Sequence, residues 1–404
     1  MSRALLRVLV AASTLVGATI LAASPLSSPA AHADGPGSGS PWVVSLGDSY
    51  ISGEAGRWAG NSNKSESLVD AGGPTTYYDN ANHTAETIAR CHRSSAAEVY
   101  LGNGVNGMNL ACSGATTSTT TGDNFKPGID FYNGSAGQGQ ALMLQNFAAS
   151  HHVTMVAVSI GGNDFNFASI VQQCVEDFLL SPSWWKDYCK DDSVVKNAMS
   201  SSNVATVKAK IVTAFQNIRT AMRNAGYADD AWTLLVQNYP SPLPNGSGIR
   251  YSESGYTRQS TGGCGFWSSD ADYANNTILT TINNTVFGAA TASGLTNVKT
   301  LNIAGAFNGR RLCETGVNLV ENSGIASWSA PGAVDKTEWV NQIRTVSTAT
   351  SDYYIQESLH PNHWGQLALR NCLRQAYNGG TPKSGTCTHG TGLDSLSEPN
   401  MTLG

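Results

Sequence analysis

Trp42-Val43-Val44-Ser45-Leu46-Gly47-Asp48-Ser49-Tyr50 decides how this chain is read. The apolar run up to Leu46 has the residue types of a buried strand and stops at a glycine. The turn that follows lifts Ser49 to the carboxyl edge of a sheet, where open α/β sheets form their ligand crevices. A serine hydroxyl is a poor nucleophile until a neighbouring base takes its proton. The reading therefore requires a histidine, a group that orients it, and donors for an oxyanion elsewhere in the chain. Standing alone, Gly47-Asp48-Ser49 is also a turn or a helix N-cap.

Outward from that stretch, residues 51–90 are polar, rich in Gly, Asn and Ser, and without a steady period. They read as a surface excursion that shapes a pocket near Ser49. Residues 108–111 form a second short strand ahead of Cys112-Ser113-Gly114-Ala115. Residues 138–150 read as a helix, and residues 153–160 as the plainest strand, ending at Gly161-Gly162-Asn163-Asp164. From 203 to 224, Val204, Val207, Ile211, Phe215, Ile218 and Met222 keep helical spacing, with Gly226 as the C-cap. Strands at 233–237 and 298–303 flank a second long helix at 273–292, and a last helix covers 366–377. Strands separated by helices imply parallel pairing through right-handed crossovers. The expectation is an α/β chain: a three-layer α/β/α sandwich of the flavodoxin-like kind, its central sheet mostly five-stranded and parallel. The domain is expected over 41–390, followed by a C-terminal tail at 391–404. No internal repeat or interdomain linker interrupts it.

The chain has 404 residues, of which 41% are hydrophobic and 13% charged, ample for a sizeable core. A net charge of −5 and the lack of clustered Lys and Arg argue against nucleic acid as a partner. Residues 1–33 carry Arg3 and Arg7, an apolar run, and Ala31-His32-Ala33, the pattern of a signal peptide. A membrane anchor is the competing reading, against which the run is short and a cleavage pattern follows it. A flexible Gly/Ser-rich leader at 34–40 comes next, and the protein is expected to be secreted. An oxidising destination turns the eight cysteines into a disulfide framework. Sequential pairing, Cys91 with Cys112, Cys174 with Cys189, Cys264 with Cys313 and Cys372 with Cys387, closes short loops. No C-x-x-C occurs, which argues against zinc ribbons and thioredoxin chemistry.

In a parallel sheet the strand ends at Ser49, Gly114 and Asn163 converge on one crevice. Gly114 admits a substrate close to backbone N–H, and the Asn163 amide offers another oxyanion donor beside the N–H of Ser49. A tight turn and a loop-capping amide are the plainer readings of the two. Asp164 braces the loop. Near the C-terminus, Glu357-Ser358-Leu359-His360-Pro361-Asn362-His363 holds two candidate bases. His360 is preferred because Glu357 lies three residues before it, while the same position for His363 is His360. The pair makes a poor metal site, without a carboxylate or cysteine cluster to complete it. His83, His92, His151, His152 and His389 read as solvated or structural.

These blocks, Gly47-Asp48-Ser49, Gly114, Gly161-Gly162-Asn163-Asp164 and Glu357-x-x-His360-Pro361, resemble the ordered motifs of the SGNH, or GDSL, hydrolases. Cys91-His92-Arg93-Ser94 and Ala111-Cys112-Ser113-Gly114-Ala115 resemble the secreted, disulfide-containing bacterial lipases and esterases of that family. The resemblance implies Ser49 as nucleophile and oxyanion donor, Gly114 and Asn163 as further donors, and His360 as general base. Glu357 stands where most members have aspartate, and some relatives use a backbone carbonyl instead, so both orienting groups stay open. The G-x-S-x-G elbow of the α/β-hydrolases is absent from the sequence.

The expected function is a serine ester hydrolase (lipase, phospholipase or esterase) acting on lipid or acyl esters. It needs no cofactor or metal, works as a monomer, and has a small-molecule or lipid ester as partner, with transient contact with lipid surfaces. Trp184, Trp185, Phe165, Phe167 and Phe178 read as an acyl pocket or interface, or as core. The alternative is a carbohydrate esterase, a polysaccharide deacetylase, with residues 51–90 and 246–272 forming a sugar cleft. A non-catalytic glycan-binding module is the third reading, against which the intact motif residues argue.

Overall fold

β1 (Trp42–Gly47) is buried from Val43 onward, as an unbroken apolar run requires of a strand covered on both faces. The computed structural model describes residues 36–344 and 355–404. The stretch 1–33 expected to be a signal peptide, and the start of the expected leader, lie outside the described residues, and 36–40 is exposed turn.

β1 pairs in parallel with β2 (Asn106–Asn109) on one side and β3 (Val153–Ser159) on the other. β4 (Thr233–Gln237), β5 (Val298–Asn302) and β6 (Gly385–Leu393) continue the parallel sheet. β7 (Pro399–Leu403) closes it antiparallel to β6, giving the order β2-β1-β3-β4-β5-β6-β7. The chain reverses its direction of progress across the sheet at β1, which makes the crevice beyond β1 and β3 the topological switch point.

The mostly parallel sheet is as expected, but it is larger than five strands. Residues 391–404 are no separate tail: they finish β6 and form β7. β6 is Gly/Thr-rich, and neither it nor β7 carries a run of alternating apolar residues that marks it. Tertiary contacts hold this edge instead: β6 pairs at Gly385 and Thr386 with Leu301 and Asn302 of β5, the Cys372–Cys387 bridge ties it down, and β7 pairs with β6. Gln375 also clasps the strand, donating to the Met401 carbonyl at 2.8 Å and accepting from Leu403 N–H at 3.0 Å.

After the one-turn helix α1 (Ser49–Ser52), the described residues hold five helices of nine residues or more: α2 (Gln140–Ala148), α3 (Phe167–Leu180), α4 (Ser201–Asn224), α5 (Thr280–Ala292) and α6 (His363–Tyr377). α2, α4 and α5 pack side by side, with Val207, Ile211, Phe215, Ile218 and Met222 of α4 buried. α6 lies on the other face, its Tyr377 meeting Thr154 of β3. One π-helical turn (Ala274–Leu279) joins α5 to the helical segment Ser268–Tyr273 before it. The four disulfides pair the cysteines in sequential order, as expected from their spacing. No helix among the described residues is long and apolar enough to cross a membrane.

Candidate active site

The serine turn is built on Gly47. Its φ is +135°, and a Cβ there would lie 1.9 Å from the carbonyl oxygen of Ser159, so only glycine lets β1 turn this close to β3. The buried amide of Gln140 clasps the turn, accepting from Gly47 N–H at 2.7 Å and donating to Gly47 carbonyl oxygen at 2.9 Å. Asp48 caps α1, accepting from Tyr50 N–H at 3.2 Å and from the Tyr239 hydroxyl. Burial outweighs those bonds and drives the Asp48 pKa up to about 7. The Tyr239 hydroxyl also accepts from Gly162 N–H at 3.0 Å, tying the serine turn to the loop after β3.

On this frame Ser49 Oγ lies 2.7 Å from His360 Nε2. The histidine arrives through Leu359, whose φ of +61° is uncommon for a branched residue. Three bonds over-determine that backbone: Tyr50 hydroxyl to Leu359 carbonyl at 2.9 Å, Leu359 N–H to Asn341 carbonyl at 3.1 Å, and Asn341 N–H to His360 carbonyl at 2.9 Å. Burial lowers the His360 pKa, opposed by the charge of Glu54 and by the main-chain carbonyls of Ser358 and Glu357. Burial thus favours the neutral imidazole, the form that can accept a proton. His363 faces away: its ring lies 3.2 Å from the Gly56 carbonyl and packs edge-on against Trp328, with its pKa pushed down to about 4 by burial.

Glu357 does not hold the imidazole by its side chain. Its carboxylate accepts from Trp58 Nε1 at 2.7 Å and from the Tyr77 hydroxyl at 2.5 Å, and no side chain among the described residues bonds His360 Nδ1. The longer glutamate arm reaches past the ring, and the groups that favour its protonated form are the charge of Glu54 and the main-chain carbonyls of Ser358 and Glu357. Burial, then the charge of Glu54, pushes the Glu357 pKa up to about 7.

Sequence reasoning missed Glu54, and of its two readings of His92, solvated or structural, the second holds. Both residues are buried, and His92 Nδ1 lies 2.6 Å from Glu54 Oε1. Tyr77 stacks on the His92 ring at 4.2 Å, and Gln356 Nε2 donates to Glu54 Oε2 at 2.9 Å. Burial alone would raise the Glu54 pKa, but the charge and hydrogen bond of His92, with a contribution from His360, hold it at about 2. Glu54 in turn raises the His92 pKa against the opposing effect of burial. A usable signal was present: Cys91 bridges to Cys112, which sets its neighbour His92 beside the loop carrying Gly114.

Gly114 and Asn163 line the same cavity as Ser49 and His360. Gly114 has φ +80°, and Asn163 Nδ2 donates to the Ala115 carbonyl at 2.9 Å, leaving its second hydrogen for a ligand. Asp164 accepts from Thr117 N–H at 2.9 Å and Thr117 hydroxyl at 2.7 Å, a brace between the loops. The cavity has a volume of about 680 Å³. Much of its lining is apolar, from Phe167, Val171, Val175 and Leu179 of α3 and from Leu279 and Ile282, with Gln172, Glu176, Arg344 and Gln356 as further polar lining.

Of the aromatics singled out after Asn163, Phe165 and Phe178 are core, Phe167 lines the cavity, and Trp184 and Trp185 are exposed. The excursion at 51–90 does not border the apolar lining; it supplies Trp58 and Tyr77 behind the His360 loop. Among the described residues, the one group of carboxylates close enough to share a cation is Asp177, Asp187 and Asp192, none of which lines the Ser49 cavity.

The arrangement is that of an α/β sandwich carrying a serine–histidine pair, with amide donors beside it, at the switch point of its sheet. Among solved structures the chain is similar to an extracellular lipase from Streptomyces rimosus, at 18% identity and a TM-score of 0.44, over 84% of this chain and 100% of that one. It is similar to phospholipase A1 from Streptomyces albidoflavus NA297, at 18% identity and a TM-score of 0.45, over 83% of this chain and 99% of that one. It also overlaps a carbohydrate acetylesterase from Sinorhizobium meliloti, at 11% identity and a TM-score of 0.33, over 84% of this chain and 99% of that one. No protein-family model and no curated protein matches the sequence.

Proposed function

We propose that the protein is a secreted serine ester hydrolase of the SGNH kind, acting on lipid or acyl esters through an acyl-enzyme on Ser49. The observation that carries this reading is the 2.7 Å contact between Ser49 Oγ and His360 Nε2 inside a largely apolar cavity of about 680 Å³. His360 takes the Ser49 proton as Oγ attacks the ester carbonyl, and the oxyanion is received by the N–H groups of Ser49 and Gly114 and the Asn163 amide. The imidazolium then protonates the departing alcohol. Water, deprotonated by the same imidazole, attacks the acyl-enzyme, and the acid leaves with Ser49 restored. The Glu54 carboxylate favours the transient imidazolium.

The apolar lining supports an acyl chain over a sugar, because residues 246–272 stay out of it. Full pairing of the eight cysteines supports an oxidising, extracellular destination. The test is a series of p-nitrophenyl esters from acetyl to palmitoyl, run beside fluorophosphonate labelling of wild type and Ser49→Ala. Ester turnover with labelling only in wild type is expected. An unlabelled wild-type protein would remove the reading.

A further inference from the structure

Three side chains in one short segment stand out of the surface: Leu180 and Trp184 at 83% exposure and Trp185 at 75%. Scattered exposed apolar residues need no explanation, but a Leu and two adjacent tryptophans beside a cavity mouth do. α3 connects the two. Phe167, Val171, Val175 and Leu179 recur every fourth residue, so one helix face lines the cavity from the Asn163 end to its rim. Leu179 is itself 38% exposed, as is Ile355, which also lines the cavity. Apolar side chains therefore recur along α3 from the catalytic pair to Leu180, with Gln172 and Glu176 also lining the cavity, and the tryptophans follow within five residues. Tyr256, exposed as well, reaches the start of that segment through its hydroxyl and the Ser181 carbonyl at 3.4 Å.

The segment is braced to hold its tryptophans outward. Ser181 Oγ donates to the Asp177 carbonyl at 2.5 Å and accepts from Asp187 N–H at 3.0 Å. Trp185 N–H donates to the Pro182 carbonyl at 2.9 Å, and the Cys174–Cys189 bridge and the Lys186–Glu253 ion pair close both ends. The two indole rings stack on each other at 6.5 Å.

We infer that Leu180, Trp184 and Trp185 form a docking patch that seats the protein on an electrically neutral lipid–water interface, with the cavity mouth facing the lipid. The inference rests on the acyl-ester reading above. A long acyl chain resides in an aggregate of its own kind. A mouth whose apolar lining continues onto the patch lets that chain enter without crossing water. Indole is the side chain that settles at such interfaces, its body in the apolar zone and its N–H in the wet one. Charge selects the lipid. Glu176, Asp187, Asp191 and Asp192 flank the patch, while Lys186 and Lys190 are engaged by Glu253 and Asp191. Such a border offers no attraction to anionic headgroups and suits neutral or zwitterionic ones.

The test uses the full chain with Ser49→Ala, so that binding is read without turnover, and vesicles of phosphatidylcholine alone. Partition into the vesicles with a blue shift of tryptophan emission is expected, and the added changes Leu180→Ser, Trp184→Ser and Trp185→Ser should weaken it at least about tenfold. With Ser49 intact, the same three changes should leave kcat/KM on a dissolved short-chain ester within about twofold while lowering hydrolysis of an emulsified long-chain ester at least about tenfold. Undiminished vesicle binding by the triple variant would overturn the inference. So would binding that needs anionic lipid, or a dimer in sedimentation that the three changes dissolve. If wild type cleaves no ester yet the Ser49→Ala protein binds vesicles through these residues, the enzymatic reading fails and the docking patch stands.

Discussion

Ser49 and His360 stand between two walls of opposite chemistry. Behind the His360 loop is a buried polar wall in which Glu54 meets His92 and Gln356, Glu357 accepts from Trp58 and Tyr77, and Tyr77 stacks on His92 to join the two sets. Across the cavity, Phe167, Val171, Val175, Leu279 and Ile282 present hydrocarbon. Buried charge is tolerated only when paired, so the polar wall is a closed network whose properties depend on pH. Hydrocarbon has no titration, so the apolar wall depends only on the size and shape of what fills it. Substitutions on one wall should therefore read out along the pH axis, and on the other along acyl chain length.

The largest effects belong where the walls meet. Ser49→Ala and His360→Ala should each cut kcat by a factor on the order of 10⁴ or more, at every pH and every chain length, because the pair acts as one unit. Steady-state assays with unchanged thermal melting are the check. Substantial residual turnover in either variant would mean that neither wall serves this pair.

Glu54→Gln tests the polar wall. Turnover should fall about ten- to a hundredfold with one ratio for all chain lengths, since the imidazolium loses a stabilising charge. Glu54 holds the His360 pKa up, so its removal should move the acid limb of kcat/KM to lower pH. The stability consequence has a definite sign. The folded carboxyl titrates near 2 against an ordinary value of 4.5. Its contribution is then complete above pH 4.5 and lost as pH falls toward 2. The melting deficit of Glu54→Gln should be full at neutral pH and close in acid. A deficit independent of pH would show that packing and not charge is what Glu54 supplies.

On the apolar wall, Val175→Phe should lower kcat/KM on palmitoyl esters about tenfold while acetyl esters stay within about twofold, with no change in pH profile. Equal losses at both lengths would place the acyl chain elsewhere.

The smallest change in rate is expected from Glu357→Gln, within about threefold of wild type, because the main-chain carbonyls beside His360 survive it. Its stability profile should run opposite to that of Glu54→Gln. With the folded pKa raised from 4.5 to about 7, wild type loses stability as pH climbs through that window, and the variant does not. The variant should therefore gain in relative melting temperature from pH 5 to pH 8. Turnover reduced by orders of magnitude would instead mean that this carboxylate leaves Trp58 and Tyr77 to orient His360.

Local pattern carried much of the fold. The run into Gly47, the strand before Gly161 and the α4 periodicity each encode their element within a few residues, because burial on both faces or on one helical face leaves its mark in composition. β6 and β7 leave no such mark, since an edge hairpin held by a disulfide and by Gln375 needs no apolar period. The site divides in the same way. Ser49, Gly114 and Asn163 follow strand ends and are legible there. His360 and not His363 meets Ser49, yet the carboxylate used to choose between them points elsewhere.

By itself, then, the sequence determined which strands end in the site and which small residues turn there, and made sequential cysteine pairing the expectation. Those are short-range matters of backbone freedom and of loops closed between neighbours. Only the tertiary structure decided what each buried charge faces: that Glu54 meets His92, that Glu357 turns to Trp58 and Tyr77, and that α3 carries hydrocarbon from the cavity to the exposed tryptophans. Such pairings join residues tens to hundreds of positions apart. Their energies depend on distance and burial, which no local run of residues specifies.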